Sequence, residues 1–220
     1  MTIAQNLADL KHLIPPSVKL IAVSKTKPNS AILEAYASGQ RVFGENYVQE
    51  IVDKQKDLPE DIEWHFIGHL QSNKAKNIAP FVSYIHAVHS IKLLDEIQKQ
   101  AEKNNRQINC LLQFHIAQEE TKYGFRLDSY EEALSVIDFS LYPNIVFAGV
   151  MGMASFVTNQ RQIESEFQLL KDIFENLKTG KFAEIASFKE ISMGMSGDWP
   201  LAVEKGSTMV RIGSAIFGNR

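Results

Sequence analysis

A single cysteine, Cys110, among 220 residues leaves no partner for an internal disulfide, so the fold has to be held by packing, as in chains kept in a reducing compartment. Set in the apolar run Cys110-Leu111-Leu112, it reads as a buried core thiol rather than a nucleophile. Uncharged apolar stretches of about 18 residues are also missing. The start, Met1-Thr2-Ile3-Ala4-Gln5-Asn6, shows no basic segment leading into an apolar one. No membrane span is therefore expected, and the protein is expected in the cytoplasm. A large excess of charge of either sign is lacking too. A net charge of -3 gives no bulk attraction to nucleic acid or anionic membranes, although a local basic pocket for one small anion is compatible with it.

What is present is 45% hydrophobic and 22% charged, a mixture able to bury a sizeable core. Linkers rich in Pro, Gly or Ser, low-complexity tracts and breaks in composition are lacking, so residues 1–220 are expected to form one domain. Apolar, β-branched runs recur at Lys19–Lys25, Arg41–Asn46, Glu63–Gly68, Tyr84–Ser90, Asn109–Ile116, Ile145–Gly152, Glu190–Met195 and Thr208–Gly218. They read as eight strands. Helical periodicity fills the gaps, most clearly over Arg161–Lys178, where Ile163, Phe167, Leu170, Phe174 and Leu177 share one face before Gly180. Further helices are expected from near Ser30, Asn46, Ser72, Ser90 and Ser129, weakly through Leu201–Lys205, and over roughly residues 2–12. Eight strand-helix units imply parallel strands with right-handed crossovers closing into a (β/α)8 barrel, with an open doubly wound sheet as the alternative.

In such a barrel the chemistry lies at the carboxyl ends of the strands. The first strand ends Ile21-Ala22-Val23-Ser24-Lys25-Thr26-Lys27-Pro28, and period two puts Ile21, Val23 and Lys25 on one face. A lysine desolvated there would offer the neutral amine a Schiff base requires, whereas a strand-end lysine on its own is ordinarily solvated surface. His65 and His69 suggest a metal pair only weakly. They span a strand end and a loop, and no carboxylate or cysteine completes a ligand set. Each reads equally as a cap or a satisfied core histidine. The seventh strand ends Ser192-Met193-Gly194-Met195-Ser196-Gly197-Asp198, and the eighth carries Arg211-Ile212-Gly213-Ser214. Small residues and hydroxyls after these two strands suit a phosphate, because glycines let backbone N–H groups approach its oxygens. A nucleophile elbow is excluded, since Asp198 stands where the motif needs its second glycine. P-loop and dinucleotide fingerprints are lacking.

Five ordered blocks carry a resemblance. Ala22-Val23-Ser24-Lys25-Thr26-Lys27-Pro28, Phe43-Gly44-Glu45-Asn46-Tyr47-Val48-Gln49-Glu50, Trp64-His65-Phe66-Ile67-Gly68 with Leu70-Gln71-Ser72-Asn73-Lys74, Ser192-Met193-Gly194-Met195-Ser196, and Gly206-Ser207-Thr208-Met209-Val210-Arg211-Ile212-Gly213 resemble the YggS/PROSC family of pyridoxal phosphate (PLP) homeostasis proteins. The resemblance spans nearly the whole chain. It implies a barrel like the N-terminal domain of alanine racemase, without that enzyme's further β domain, and PLP on Lys25. It also implies Asn46 near the cofactor, Ser192, Gly194 and Ser196 from the seventh strand with Gly213 and Ser214 from the eighth around its phosphate, and Arg211 facing the pyridine nitrogen. His69 departs from a common proline and Lys92 from a common acidic residue, which puts the pocket rim in doubt. An arginine at the ring nitrogen, protonated up to a pKa above about 12, keeps the ring a weak electron sink.

The resemblance implies a carrier that stores, buffers or delivers PLP through reversible exchange at Lys25, with apo-enzymes as transient partners, and a monomer. An amino-acid racemase is the rival. It would need a second base, for which Tyr47, Tyr84, Tyr123 and His65 are candidates that nothing in the sequence orients. A barrel for another phosphorylated metabolite is a third possibility. Lys27 and Lys122 compete with Lys25 for the covalent link, although Lys27 directly precedes the backbone-restricting Pro28.

Overall fold

The computed structural model describes residues 2–119 and 123–218. Eight strands, β1 (Lys19–Val23), β2 (Val42–Glu45), β3 (Glu63–Phe66), β4 (Tyr84–Val88), β5 (Ile108–Phe114), β6 (Ile145–Gly152), β7 (Glu190–Met195) and β8 (Met209–Ile212), pair in chain order. All pairs are parallel, and β8 returns to β1 with Leu20 opposite Val210 and Ile21 opposite Arg211. The closed (β/α)8 barrel is therefore the architecture, and the open sheet is not. Around it run α1 (Ile3–Leu13), α2 (Asn29–Ala37), α3 (Val48–Asp57), α4 (Ala75–Ile78), α5 (Ile91–Lys103), α6 (Tyr130–Ser135), α7 (Gln160–Thr179), α8 (Trp199–Glu204) and α9 (Ser214–Phe217). No helix among the described residues is long and apolar enough to cross a membrane.

Local chemistry accounts for the helix ends. Asn159 accepts from Gln162 N–H to start α7, whose Ile163, Phe167, Leu170, Phe174 and Leu177 are all buried before Gly180 ends it. Ser90 likewise caps α5 through Leu93 N–H, whereas Ser129 precedes α6 without a side-chain cap. The eighth strand is shorter than the sequence pattern suggests. It stops at Ile212, and Ser214–Phe217 turns into α9, because a short apolar run such as Ala215-Ile216-Phe217 suits a strand and a helical turn equally.

Two apolar layers result. The larger one lies between strands and helices and contains Cys110, fully buried, with its thiol pKa pushed up by burial. The smaller one fills the lumen with Ile21, Ala87, Leu111, Ala148, Met151 and Met209. Strand alternation puts Lys19, Glu63, His65, Ser192 and Arg211 on that inward side as well. The lumen thus holds polar groups that must satisfy one another.

Candidate functional site

Two large cavities open on the barrel's carboxyl-end face. One of about 700 Å³, near the end of β5, is bordered by His89, His115, Tyr123, Arg126 and Asp128. The other, of about 680 Å³, lies over β1, β2, β7 and β8 and is bordered by Lys25, Lys27, Asn46, Ser196, Arg211, Gly213 and Ser214. Volume does not separate them; wall chemistry does. Six of the eight residues picked out in the sequence border the second, and its basic residues come from two separate stretches of chain, the end of β1 and β8.

The backbone around Lys25 is held by β2 and α3. Ser24 N–H donates to Gly44 O at 3.0 Å, and Ser24 Oγ donates to Glu45 Oε1 at 2.6 Å. Lys54, from α3, is buried and donates to Ser24 O at 2.8 Å, Glu45 Oε1 at 2.7 Å and Glu50 Oε1 at 2.6 Å. Glu50 also accepts from Thr26 N–H at 2.5 Å. Burial pushes the Glu45 carboxyl up, while the hydrogen bonds from Lys54 and Ser24 pull the other way. Thr26 takes a φ of 63°, a left-handed conformation costly for a β-branched residue, which persists because its surroundings over-determine it. Both residues flanking Lys25 are thereby fixed. Lys27 Nζ donates to Phe217 O and Gly218 O, each at 3.1 Å, at the end of α9. Lys122 lies outside the described residues.

Arg211 forms part of the floor. It is 4% exposed, and its Nη1 donates to Ser192 Oγ at 2.6 Å and its Nη2 to Gly152 O at 2.9 Å. Burial lowers the guanidinium to about 10 against an opposing pull from Asp198. That is below the ordinary arginine range expected from the sequence, yet the side chain remains a cation at neutral pH. Ser192 and Gly194 do not border the cavity. Ser192 is buried beneath Arg211, and Gly194, at φ 93°, brings β7 against α8, where a Cβ would meet Ala202 Cβ at 2.6 Å. Ser196 Oγ instead accepts from Gly213 N–H at 3.2 Å, and Asp198 Oδ1 accepts from Met195 N–H at 2.5 Å. Nothing lies within 4 Å of a Cβ placed on Gly197. Across the cavity, Asn46 Oδ1 is buried with no hydrogen-bond partner. Gly68 packs directly on the Asn46 backbone, where a Cβ would overlap Asn46 O.

Beneath the floor, His65 and His86 are fully buried. His65 Nε2 lies 2.9 Å from Glu63 Oε1, His65 Nδ1 lies 2.8 Å from His86 Nε2, and His86 Nδ1 lies 2.9 Å from Ser192 Oγ. His65 is thus a satisfied core histidine. His69 points elsewhere, stacked on Tyr123 at 3.7 Å, and no group of three or more His, Cys, Asp or Glu among the described residues could hold a metal ion. Burial lowers both lumen histidines, His86 well below the usual range. Glu63 is drawn down to about 2, first by its hydrogen bond with His65 and further by Lys19.

One wall was not visible in the sequence. Met153, Ser155, Phe156 and Val157, from the segment joining β6 to α7, and Ile163 in the first turn of α7 also border the cavity. Ser155 donates to Glu166 through both N–H, at 2.6 Å, and Oγ, at 2.7 Å, and this pins the loop while Phe156 stays 95% exposed at the rim. A buried Ser–Glu pair and an exposed aromatic form no motif; the only signal is a loop after a strand end.

Comparison with known proteins points the same way. Residues 1–220 match the family described as alanine racemase, N-terminal domain. The pyridoxal phosphate homeostasis protein of Vibrio alginolyticus is 42% identical over 211 residues, which cover 94% of this chain and 88% of that one. The structure of PipY from Synechococcus elongatus with PLP bound superposes with a TM-score of 0.89 at 38% identity, covering 99% of this chain and 100% of that one. Alanine racemase from Bartonella henselae, with covalently bound pyridoxal phosphate, is 14% identical, with a TM-score of 0.72. It shares the fold, and this chain covers 58% of its length.

Proposed function

The chain belongs to the family of pyridoxal phosphate homeostasis proteins, within the alanine racemase N-terminal-domain family, and from that premise we propose that it binds PLP in the 680 Å³ cavity and stores, buffers or delivers it through reversible covalent attachment to Lys25. The observation that carries this reading is the convergence of Lys25, the Arg211 cation and the partnerless Asn46 Oδ1 on one cavity. A buried acceptor without a partner is costly unless a ligand or water satisfies it. Arg211 fits an anionic or accepting group and Asn46 Oδ1 fits a donor, so the residues present suit a flat, polar ligand that offers both. When bound, PLP supplies an aldehyde that an amine can engage and release reversibly.

Each residue then has a separate task. Lys25 presents its amine, held by the Ser24–Lys54–Glu50 buckle. Arg211 offers remaining N–H donors to the ring nitrogen while keeping its own proton. Ser196, Gly213 and Ser214, with the open space over Gly197, receive the phosphate. Ser192 supports Arg211 from below, and Gly194 lets β7 close on α8. Residues 1–220 act as one domain, as a monomer, and hand PLP to apo-enzymes.

Transfer without catalytic turnover is part of the proposal. None of the four candidate second bases borders the cavity. Tyr84 is stacked on His65 at 4.4 Å, with its phenol pushed up to about 12, first by burial. Tyr123 borders the other cavity, Tyr47 is exposed and His65 is buried. Racemisation needs an oriented acid/base on the second face of the substrate.

The test is the absorption spectrum of the isolated protein before and after borohydride, followed by peptide mapping. A visible band that reduction abolishes, with the label on Lys25, is expected. A label wholly on Lys27 or Lys122 would overturn the site. The absence of any band after incubation with PLP would overturn the carrier itself.

A further inference from the structure

Below Ser192, the polar line in the lumen has no part in the proposed carrier role, yet through Ser192 it ends on Arg211. It begins at the amino ends of the strands, where Lys19 Nζ lies 2.9 Å from Glu63 Oε1. It then passes through His65, His86 and Ser192 in links of 2.9, 2.8 and 2.9 Å, and meets Arg211 at 2.6 Å. Ser192 and both rings have no exposed surface.

With both rings neutral, donor and acceptor chemistry leaves one arrangement of protons. Arg211 can only donate, and an ionised carboxylate can only accept. Glu63 therefore accepts from His65 Nε2–H, which leaves His65 Nδ1 as an acceptor. His86 must donate to it from Nε2, and its own Nδ1 must then accept the Ser192 hydroxyl proton. Ser192 accepts in turn from Arg211. Every link is made, and every dipole presents its acceptor end toward Arg211. One additional proton on this pair would reverse the upper links and turn the Ser192 hydroxyl away. Burial opposes that proton, as do Lys19 from β1 and Arg211 from β8, while Glu63 from β3 favours it. The neighbouring Tyr84 of β4 stays a neutral phenol, and Glu190 of β7 adds negative charge near it.

We infer that Glu63, His65, His86 and Ser192 form a one-way hydrogen-bonded chain that anchors Arg211 and holds its free donors toward the cavity, making the four positioning residues for the aromatic nitrogen of the ligand. The ligand half of this inference rests on the carrier reading; the proton order does not.

The experiment is nitrogen NMR of the cofactor-free protein, carrying ¹⁵N-histidine, at neutral pH. Both His65 and His86 are expected as the Nε2–H tautomer with an unprotonated, hydrogen-bonded Nδ1. A proton on either Nδ1 would overturn the chain, and this measurement needs no variant to fold. Ser192→Ala is then expected to shift the His86 Nδ1 resonance and to weaken PLP binding by roughly tenfold, the effect of losing one hydrogen bond to a charged group. Ser192→Thr, which keeps the hydroxyl, is expected to restore both. An unchanged His86 resonance in Ser192→Ala would overturn the link, and unchanged PLP affinity would overturn the anchoring role. If PLP binds neither protein, the carrier reading fails while the histidine spectra still decide the proton order.

Discussion

Acidification should destabilise this barrel well before its carboxylates protonate, because the unfolded chain takes up protons that the lumen histidines refuse. A histidine ordinarily titrates near about 6.5. In the fold His86 is held well below that by burial, then by His65 and Arg211. The depressed folded value fixes the sign: the contribution is fully present above about pH 6.5 and is lost as pH falls toward the folded pKa. With His86 still neutral at about pH 5.5, proton uptake by the unfolded state costs RT ln(1 + 10^(6.5−pH)), so the loss from about pH 7 is about 1.2 kcal/mol. His65 adds a loss of the same sign, smaller because Glu63 favours its charged form. Glu63 itself, at about 2, stays ionised across this window and contributes only below its ordinary value of about 4.3. Glu45 has the opposite sign, since its raised carboxyl gains relative stability on acidification. A comparison with His86→Gln, which cannot titrate but keeps an amide donor and acceptor, cancels that term. Urea unfolding at the two pH values, followed by tryptophan fluorescence, should show the wild type losing about 1.2 kcal/mol more than the variant. Equal losses would refute the reasoning.

Other outcomes follow from the site. Pyridoxal should bind more weakly than PLP, and Ser196→Ala or Ser214→Ala should each weaken PLP binding by about one to two powers of ten, as titrations would show; equal affinity for the two ligands would refute the phosphate role. Lys54→Met leaves Glu45 buried without its cation and should cost about 3 kcal/mol in denaturant unfolding, with a fall in PLP affinity as Ser24 and Thr26 loosen. Holo-protein incubated with each common L-amino acid should show no loss of optical activity, carbon dioxide release or keto-acid formation, while restoring an apo-enzyme; turnover of about 1 s⁻¹ or more would favour a racemase-like enzyme.

The strands were legible because buried parallel strands are nearly continuous apolar runs, and the breaks between them carry caps such as Ser90. Their ends were less so, as at Thr208–Gly218, where β8 gives way to α9 after four residues. Lys25 and Arg211 were legible through period two and the resemblance. Ser192 was placed by resemblance around the phosphate, but alternation sinks it one layer, under Arg211. His86 carried no signal, since its partners His65 and Ser192 lie 21 and 106 positions away and meet it only once the ring closes. That Lys54 turns inward to Glu45 depends on where α3 docks on β2, which no local pattern around Lys54 announces.

The lone cysteine has an experimental use that its chemistry alone would not suggest. Cys110 has no exposed surface, and thiol reagents need both access and the thiolate that burial disfavours. A ring of strands has no edge from which to peel, so fraying at helix ends leaves this thiol sealed. Its labelling therefore acts as a clock for rupture of the whole ring, a single-site readout of how often the closed barrel opens.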